Sequence, residues 1–225
     1  MNDTLMVIGE ALIDFIPTEQ GMALKDVCSF TKHCGGAPIN IAAATAKLGA
    51  HSKVLTQVGA DAFGDFILET LSLCQVDITA VKRTKQYPTA LAFVALDEKG
   101  NRDFTFYRDP CADLHLSAED ITATMFQDCG ILHFCSVDLV DSPMKQAHLK
   151  AIQLAKEQGA IISFDPNVRL PLWSSKEDCK NTILEFAPYA DILKISDAEL
   201  FFLTGQKDCE QVFTVFPDAT IILLT

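Results

Sequence analysis

Apolar and polar positions alternate along this chain with two periods, one suited to strands and one to helices. Residues 5–8 and 11–16 form an apolar run that reads as a strand with a polar break at Glu10. The alanine-rich stretch from Pro38 to Leu48, closed by Gly49, predicts a helix. A strand is expected over 53–58, then a helix over 63–73, apolar at 63, 66, 67, 71 and 74. Next come three short alternating strands at 79–85, 89–96 and 102–108, with Glu98-Lys99-Gly100-Asn101 as the turn between the last two. Helix–strand alternation resumes after Ser117-x-x-Asp120, a capping-box-like helix start. It predicts strands at 131–137, 160–164 and 192–195, helices at 143–158, 176–186 and 197–203, and a closing buried strand at 219–225.

Repeated β–α units of this length predict an α/β fold, a parallel sheet covered by helices on both faces. The β-rich insert predicts a lid or small subdomain on that sheet. The 225 residues fit one domain, with no internal repeat or low-complexity linker. A buried parallel strand is normally followed by a crossover and more sheet, so the pattern reads as unfinished after 219–225.

Composition narrows the function classes. An apolar fraction of 49% excludes a disordered chain. A net charge of −12 without any basic cluster argues against nucleic-acid binding through phosphate contacts. Eight cysteines contain no C-x-x-C pair, so neither a zinc site nor a disulfide framework is indicated. The five histidines form no spaced ligand set, and His133 reads as a core residue. No basic leader region opens the chain and no apolar run is long enough to span a bilayer, which points to a cytoplasmic protein with no membrane partner.

Ligands of open parallel sheets gather beyond the carboxyl ends of the strands, so the polar residues there are the candidates. They are Glu10 and Asp14, the Gly35-Gly36…Asn40 turn, Arg108 beside Asp109, the run Asp165-Pro166-Asn167-Val168-Arg169, and Ser196 to Glu199. The glycine pair ahead of a helix lets backbone N–H groups approach a polar ligand. Each feature also has a plainer reading: a tight corner for Gly35-Gly36, a surface carboxylate for Asp14, a solvated hairpin end for Arg108. Asp165-Pro166-Asn167 fits an ordinary turn, and Glu199 a first-turn helix acid. Together they suggest a hydroxyl-rich or phosphorylated small molecule.

Read as ordered motifs, these stretches resemble the ribokinase-like (PfkB) family of sugar kinases, fructokinases above all. The resemblance is carried by Gly9-Glu10-Ala-Leu-Ile-Asp14-Phe-Ile-Pro17, Gly35-Gly36-Ala-Pro-x-Asn40-x-Ala42 and Gly59-x-Asp61-x-Phe63-Gly64. It continues through Thr89-Ala-Leu-Ala-Phe-Val94, Phe106-Tyr107-Arg108-x-Pro110-x-Ala112-Asp113, Asp165-Pro166-Asn167-x-Arg169-Leu-Pro-Leu-Trp173 and Lys194-x-Ser196-x-x-Glu199, which runs on to Gly205. It implies a three-layer α/β/α sandwich over residues 1–225 with a mainly parallel central sheet. A small β-sheet lid is implied within about 15–33 and 79–109. The implied activity is transfer of the γ-phosphate of ATP to a sugar hydroxyl, most naturally on fructose, with Mg2+.

On that resemblance, Asp14, Gly35, Gly36, Asn40, Phe93, Phe106, Arg108 and Arg169 bind the sugar. Asn167, Lys194, Ser196 and Glu199 hold phosphate or ATP, and Glu199 reaches Mg2+ through water. A homodimer through the lid is also implied. Two departures stand out: Ser196 occupies a position where the family commonly has Asn, and the family's Gly-Ala-Gly-Asp motif, which carries the catalytic base and anion hole, does not occur in these residues. No catalytic residue is therefore expected within residues 1–225, and the general base is expected beyond Thr225. By the same resemblance the fold is expected to lack its C-terminal part and the polypeptide to be inactive alone. Two other readings remain at this point: a 2-keto-3-deoxygluconate kinase, or a non-catalytic sugar-binding module.

Overall fold

The computed structural model describes residues 3–19, 21–96, 102–205 and 212–225, and the turn expected at 98–101 lies outside them. The first half of the chain runs β1 (Thr4–Ile8), β2 (Leu12–Pro17), β3 (Phe30–Gly35), α1 (Ala37–Lys47), β4 (Ser52–Gly59), α2 (Ala62–Leu73), β5 (Val81–Thr84), β6 (Ala90–Leu96) and β7 (Arg102–Tyr107). It continues as β8 (Cys129–Cys135), α3 (Pro143–Glu157), β9 (Ile161–Asp165), α4 (Lys176–Phe186), β10 (Ile192–Ile195), α5 (Asp197–Thr204), α6 (Val212–Val215) and β11 (Ile221–Leu224).

Seven strands pair in parallel in the order β11-β10-β9-β8-β1-β4-β5. Successive side chains of a strand point to opposite faces, so each strand feeds two cores. Val7, Val54 and Val58 pack with Ile39, Ala42 and Ala46 of α1 and with Ile67 and Leu71 of α2. Met6, Ile8, Phe134, Phe164 and Leu193 meet Met144, Ala147 and Ala151 of α3 and Ile183 and Phe186 of α4 on the other side. Side-chain caps define several helix starts: Asp61 accepts from the N–H groups of Phe63 (3.0 Å) and Gly64 (2.8 Å), and Ser175 accepts from Asp178 N. No helix among the described residues is long and apolar enough to cross a membrane.

The structure departs from the sequence reading in four places. The apolar run of 5–16 is two strands in different sheets: the backbone turns at Gly9, with φ +148°, and β2 leaves to join a four-stranded sheet ordered β3-β2-β6-β7. The stretch 79–85, expected in the lid, supplies β5, which pairs in parallel with β4 in the large sheet. Helix α2 forms the crossover that carries it there. Ser117 and Asp120 do form a reciprocal cap, but on a single 3-10 turn at Ala118–Asp120. Finally, the strand expected to be buried at 219–225 is an edge strand whose Ile221 and Leu223 are about half exposed, at 47% and 52%.

Candidate active site

A cavity of about 260 Å3 opens where the small sheet overhangs the carboxyl ends of the large one. The small sheet contributes Leu12, Asp14, Ile16, Val94 and Phe106 to its walls. Strand alternation explains this set: Leu12, Asp14 and Ile16 are two apart on β2, and Asp14, Ala92 and Phe106 are aligned across β2, β6 and β7. The large sheet contributes Glu10 after β1, Val137 after β8, and Asn167 and Arg169 after β9. Gly36, Ala37 and Asn40 complete the lining from the start of α1.

Gly36 is the N-cap of α1 and has φ +115°, a backbone conformation few side chains tolerate. It has no side chain to cap the helix, and Glu10 does so from a distance: Ala37 N donates to Glu10 Oε1 at 2.6 Å. Neighbouring Gly35 lies against Asp14, where a Cβ would overlap the carboxylate. Asn167 adopts φ +44°, which asparagine tolerates better than most residues, and its N–H donates to Asp165 Oδ1 at 3.2 Å.

Three sugar-side expectations change. Phe93 does not line the cavity: one residue out of step with Val94, it projects from the opposite face of the small sheet. There it stacks on Phe15 at 4.8 Å and meets Phe30 and Tyr107 edge-on. Arg108 is not in the cavity lining either. Only 5% of its side chain is exposed, and it pairs with Asp113 at 2.7 Å and with Asp138. Gly35 supports Asp14 from behind and lies outside the lining. Asp138 and Asp113, which hold Arg108, were not among the sequence candidates. Asp138 directly follows the strand expected at 131–137, so the same end-of-strand rule would have found it.

The expected phosphate side forms a ridge beside the cavity. Glu199 Oε2 accepts from Ser196 N (2.9 Å) and Ser196 Oγ (2.8 Å), closing a capping box on α5. Its Oε1 accepts from Val168 N at 2.9 Å, tying α5 to the Asn167–Arg169 loop. Lys194 pairs with Asp165 at 3.0 Å, and burial holds the Asp165 carboxyl above its ordinary range against that partner. With three donors already on Glu199, direct metal coordination by its carboxylate would break the cap. Among the described residues no group of three or more His, Cys, Asp or Glu is arranged to hold a metal ion. Glu199→Ala is expected to lower stability by about 1–2 kcal/mol through the lost cap and the freed Val168 N–H, read by urea unfolding.

Thr225 follows β11 at the same carboxyl end of the large sheet. Its N–H donates to Ile195 O at 3.1 Å, and its carbonyl accepts from Asp197 N at 3.0 Å, beside the first turn of α5. The general base expected beyond Thr225 lies outside the described residues, whereas the cavity and the ridge lie within them.

Comparison with known protein families matches residues 2–219 to the pfkB family carbohydrate kinases. The chain belongs to that family. A probable fructokinase-2 of Arabidopsis thaliana is 40% identical over 220 residues, covering 96% of this chain and 67% of the relative. The fructokinase of Xylella fastidiosa with bound ATP superposes with a TM-score of 0.89 at 34% identity, over 100% of this chain and 69% of that one. A Vibrio cholerae fructokinase variant bound to fructose, ADP and a potassium ion superposes with a TM-score of 0.87 at 35% identity, over 100% and 70%. This pfkB kinase chain thus spans about two thirds of the length of the relatives it matches, and its three-layer sandwich is that of the fructokinase structures.

Proposed function

We propose that this chain serves the ATP-dependent phosphorylation of a neutral sugar, with fructose the best-supported acceptor. The observation that carries the reading is the cavity itself. Its volume lies below the about 300–1,000 Å3 of drug-sized sites and suits a monosaccharide. Asp14, Asn40 and Asn167 offer both acceptors and donors to hydroxyls, while Leu12, Ile16, Val94 and Phe106 form a wall for the C–H face. The small sheet acts as a lid that keeps water, a competing acceptor, from the reacting oxygen. Arg169 orients the sugar or the incoming phosphate, and Asn167, Lys194, Ser196 and Glu199 form the phosphate side, with Mg2+ reached from Glu199 through water.

Charge separates fructose from the acid-sugar alternative. A substrate carboxylate would want both arginines, but Arg108 is committed to Asp113 and Asp138. The cavity keeps one guanidinium, that of Arg169, against the Asp14 carboxylate. Titration calorimetry should therefore detect fructose, with 2-keto-3-deoxygluconate binding much more weakly; the reverse order would overturn the reading. Asp14→Ala is expected to weaken fructose binding about 10–100-fold, the range for losing a hydrogen bond to a charged group.

Because no Gly-Ala-Gly-Asp run lies within these residues, we infer that the 225-residue polypeptide binds sugar without steady turnover. Sustained fructose-dependent ADP release in a coupled assay would refute this. The outer face of the lid carries an apolar groove of about 450 Å3 lined by Leu24, Phe30, Leu91, Phe93 and Tyr107, suited to a second copy of the chain. A cytoplasmic setting would keep thiols such as Cys111 and Cys135 reduced.

A further inference from the structure

Among the described residues, five buried side-chain atoms have no hydrogen-bond partner, and three belong to one charged cluster: Glu10 Oε2, Asp138 Oδ2 and Arg108 Nε. That cluster sits where the backbone passes between the two sheets. The passages run through 9–11, 35–36, 85–89 and 108–113. Glu10 lies in the first, and its Oε1 accepts from Ala37 N just beyond the second. Arg108 and Asp113 pair within the fourth, and Asp138, which follows β8 of the large sheet, binds Arg108. Glu10 thus joins the first passage to the end of the second, and Arg108 ties the fourth to the large sheet.

Glu10 is 2% exposed, and its backbone carbonyl faces Gly36 so closely that a Cβ there would overlap it. The carboxyl therefore borders two walls of the cavity, β2 with Asp14 and the α1 turn with Asn40. If Glu10 and Asp138 were both ionised, two carboxylates would sit together out of water with an unpartnered oxygen each. A single proton on Glu10 removes one of those charges and relieves the repulsion.

We propose that Glu10 is a positioning residue of the sugar site: as a neutral buried carboxyl it holds the opening turn of α1 through Oε1, so fixing Gly36 and Asn40 relative to Asp14. Several charges bear on it. Burial and then Asp138 push the Glu10 carboxyl up to about 8, while Arg108 and the Ala37 N–H act against them. Burial likewise lifts Asp138 to about 7 against Arg108, with Asp113 adding to the rise. Cys135 faces Glu10 from the end of β8, and Asp14 and Arg169 share its cavity. As pH rises through about 8 the proton leaves, a second buried negative charge appears beside Asp138, and the turn loses its fixed place.

The inference rests on the sugar-kinase reading, and the test separates the two. Fructose binding is measured by titration calorimetry from pH 6 to 9.5 for the wild type, Glu10→Gln and Glu10→Ala, with thermal unfolding of each. The wild type should lose about tenfold in affinity across pH 7–9. Glu10→Gln keeps an acceptor for Ala37 N and stays uncharged at every pH, so it should bind within about threefold of wild type at pH 7 and show no such fall. Glu10→Ala should bind about tenfold more weakly at pH 7. Should the alanine variant fail to fold, the flat profile of the glutamine variant carries the test. A wild-type affinity constant to pH 9.5, an identical fall in Glu10→Gln, or unchanged binding by a folded Glu10→Ala overturns this inference alone. No fructose binding by the wild type at any pH overturns the reading beneath it as well.

Discussion

Replacing Arg108 with methionine is expected to destabilise the protein by about 3–5 kcal/mol, the penalty for removing one partner of a buried ion pair. Asp113 and Asp138 are 1% and 0% exposed, so the loss strands two carboxylates without water or a cation. Asp113 has other duties, since its Oδ1 accepts from Leu114 N at 3.0 Å and from the Cys111 thiol at 2.7 Å. It cannot turn away without breaking them. Burial opposes the Arg108 charge, yet Asp113 and Asp138 together hold its proton more tightly than usual. Urea unfolding at pH 7 should show the drop, and the gap to wild type should narrow toward pH 5 as Asp138, whose carboxyl burial already pushes up, takes up a proton. Replacing all three residues with apolar ones of similar size should recover most of the loss. A folded Arg108→Met with wild-type stability would show that water reaches this cluster freely.

Substituting Gly36 with alanine is expected to damage both stability and sugar binding. The residue holds φ +115°, and a Cβ would overlap the backbone carbonyl oxygen of Glu10, which cannot swing aside as a side chain would. Strain and overpacking together are expected to cost about 2–4 kcal/mol. The relief available is a shift of the α1 turn away from Glu10, which lengthens the Ala37 N to Glu10 Oε1 bond and carries Asn40 off its place. Fructose affinity should fall more than stability alone accounts for, and calorimetry on the folded fraction reads this directly. Gly49→Ala serves as the control, because a Cβ there meets nothing within 4 Å although φ is +89°. It should lose stability through backbone strain alone and bind sugar normally.

Much of this architecture was legible because local chemistry and tertiary structure agree. The helix at 176–186 and the strand at 192–195 fall where the pattern put them. Each starts or stops at a cap or a turn that its own residues supply. The parallel sheet followed from repeated β–α units, and Asp14, Asn40, Phe106, Asn167 and Arg169 do meet around one cavity. What failed depends on partners distant in sequence. Nothing local in residues 5–16 says that the strand on one side of Glu10 pairs with β4 and β8 while the other pairs with β3 and β6. Val81–Thr84 is too short to show which sheet takes it. Arg108 ends a strand and is followed by Asp-Pro, a pattern shared by solvated hairpin ends; its burial comes from Asp138, thirty residues further on. Phe93 was misplaced because alternation says that Phe93 and Val94 face opposite ways but not which of them meets the cavity, and the structure puts Val94 there.

The distant cap on α1 bears on the order in which this protein assembles. Helices α2, α4 and α5 each carry a side-chain cap from the residue just before them, Asp61, Ser175 and Ser196. These starts can form from local sequence alone. The eleven-residue α1 has Gly36 at its start and takes its acceptor from a residue 27 positions earlier. A helix of that length is marginal in water even when rich in alanine. An isolated peptide of residues 34–50 is therefore expected to show little helix by circular dichroism. During folding α1 is therefore expected to gain its first turn only once β1 has docked and its connection to β2 is in place. The sugar pocket, which depends on that turn, would then be among the last parts of the molecule to take shape.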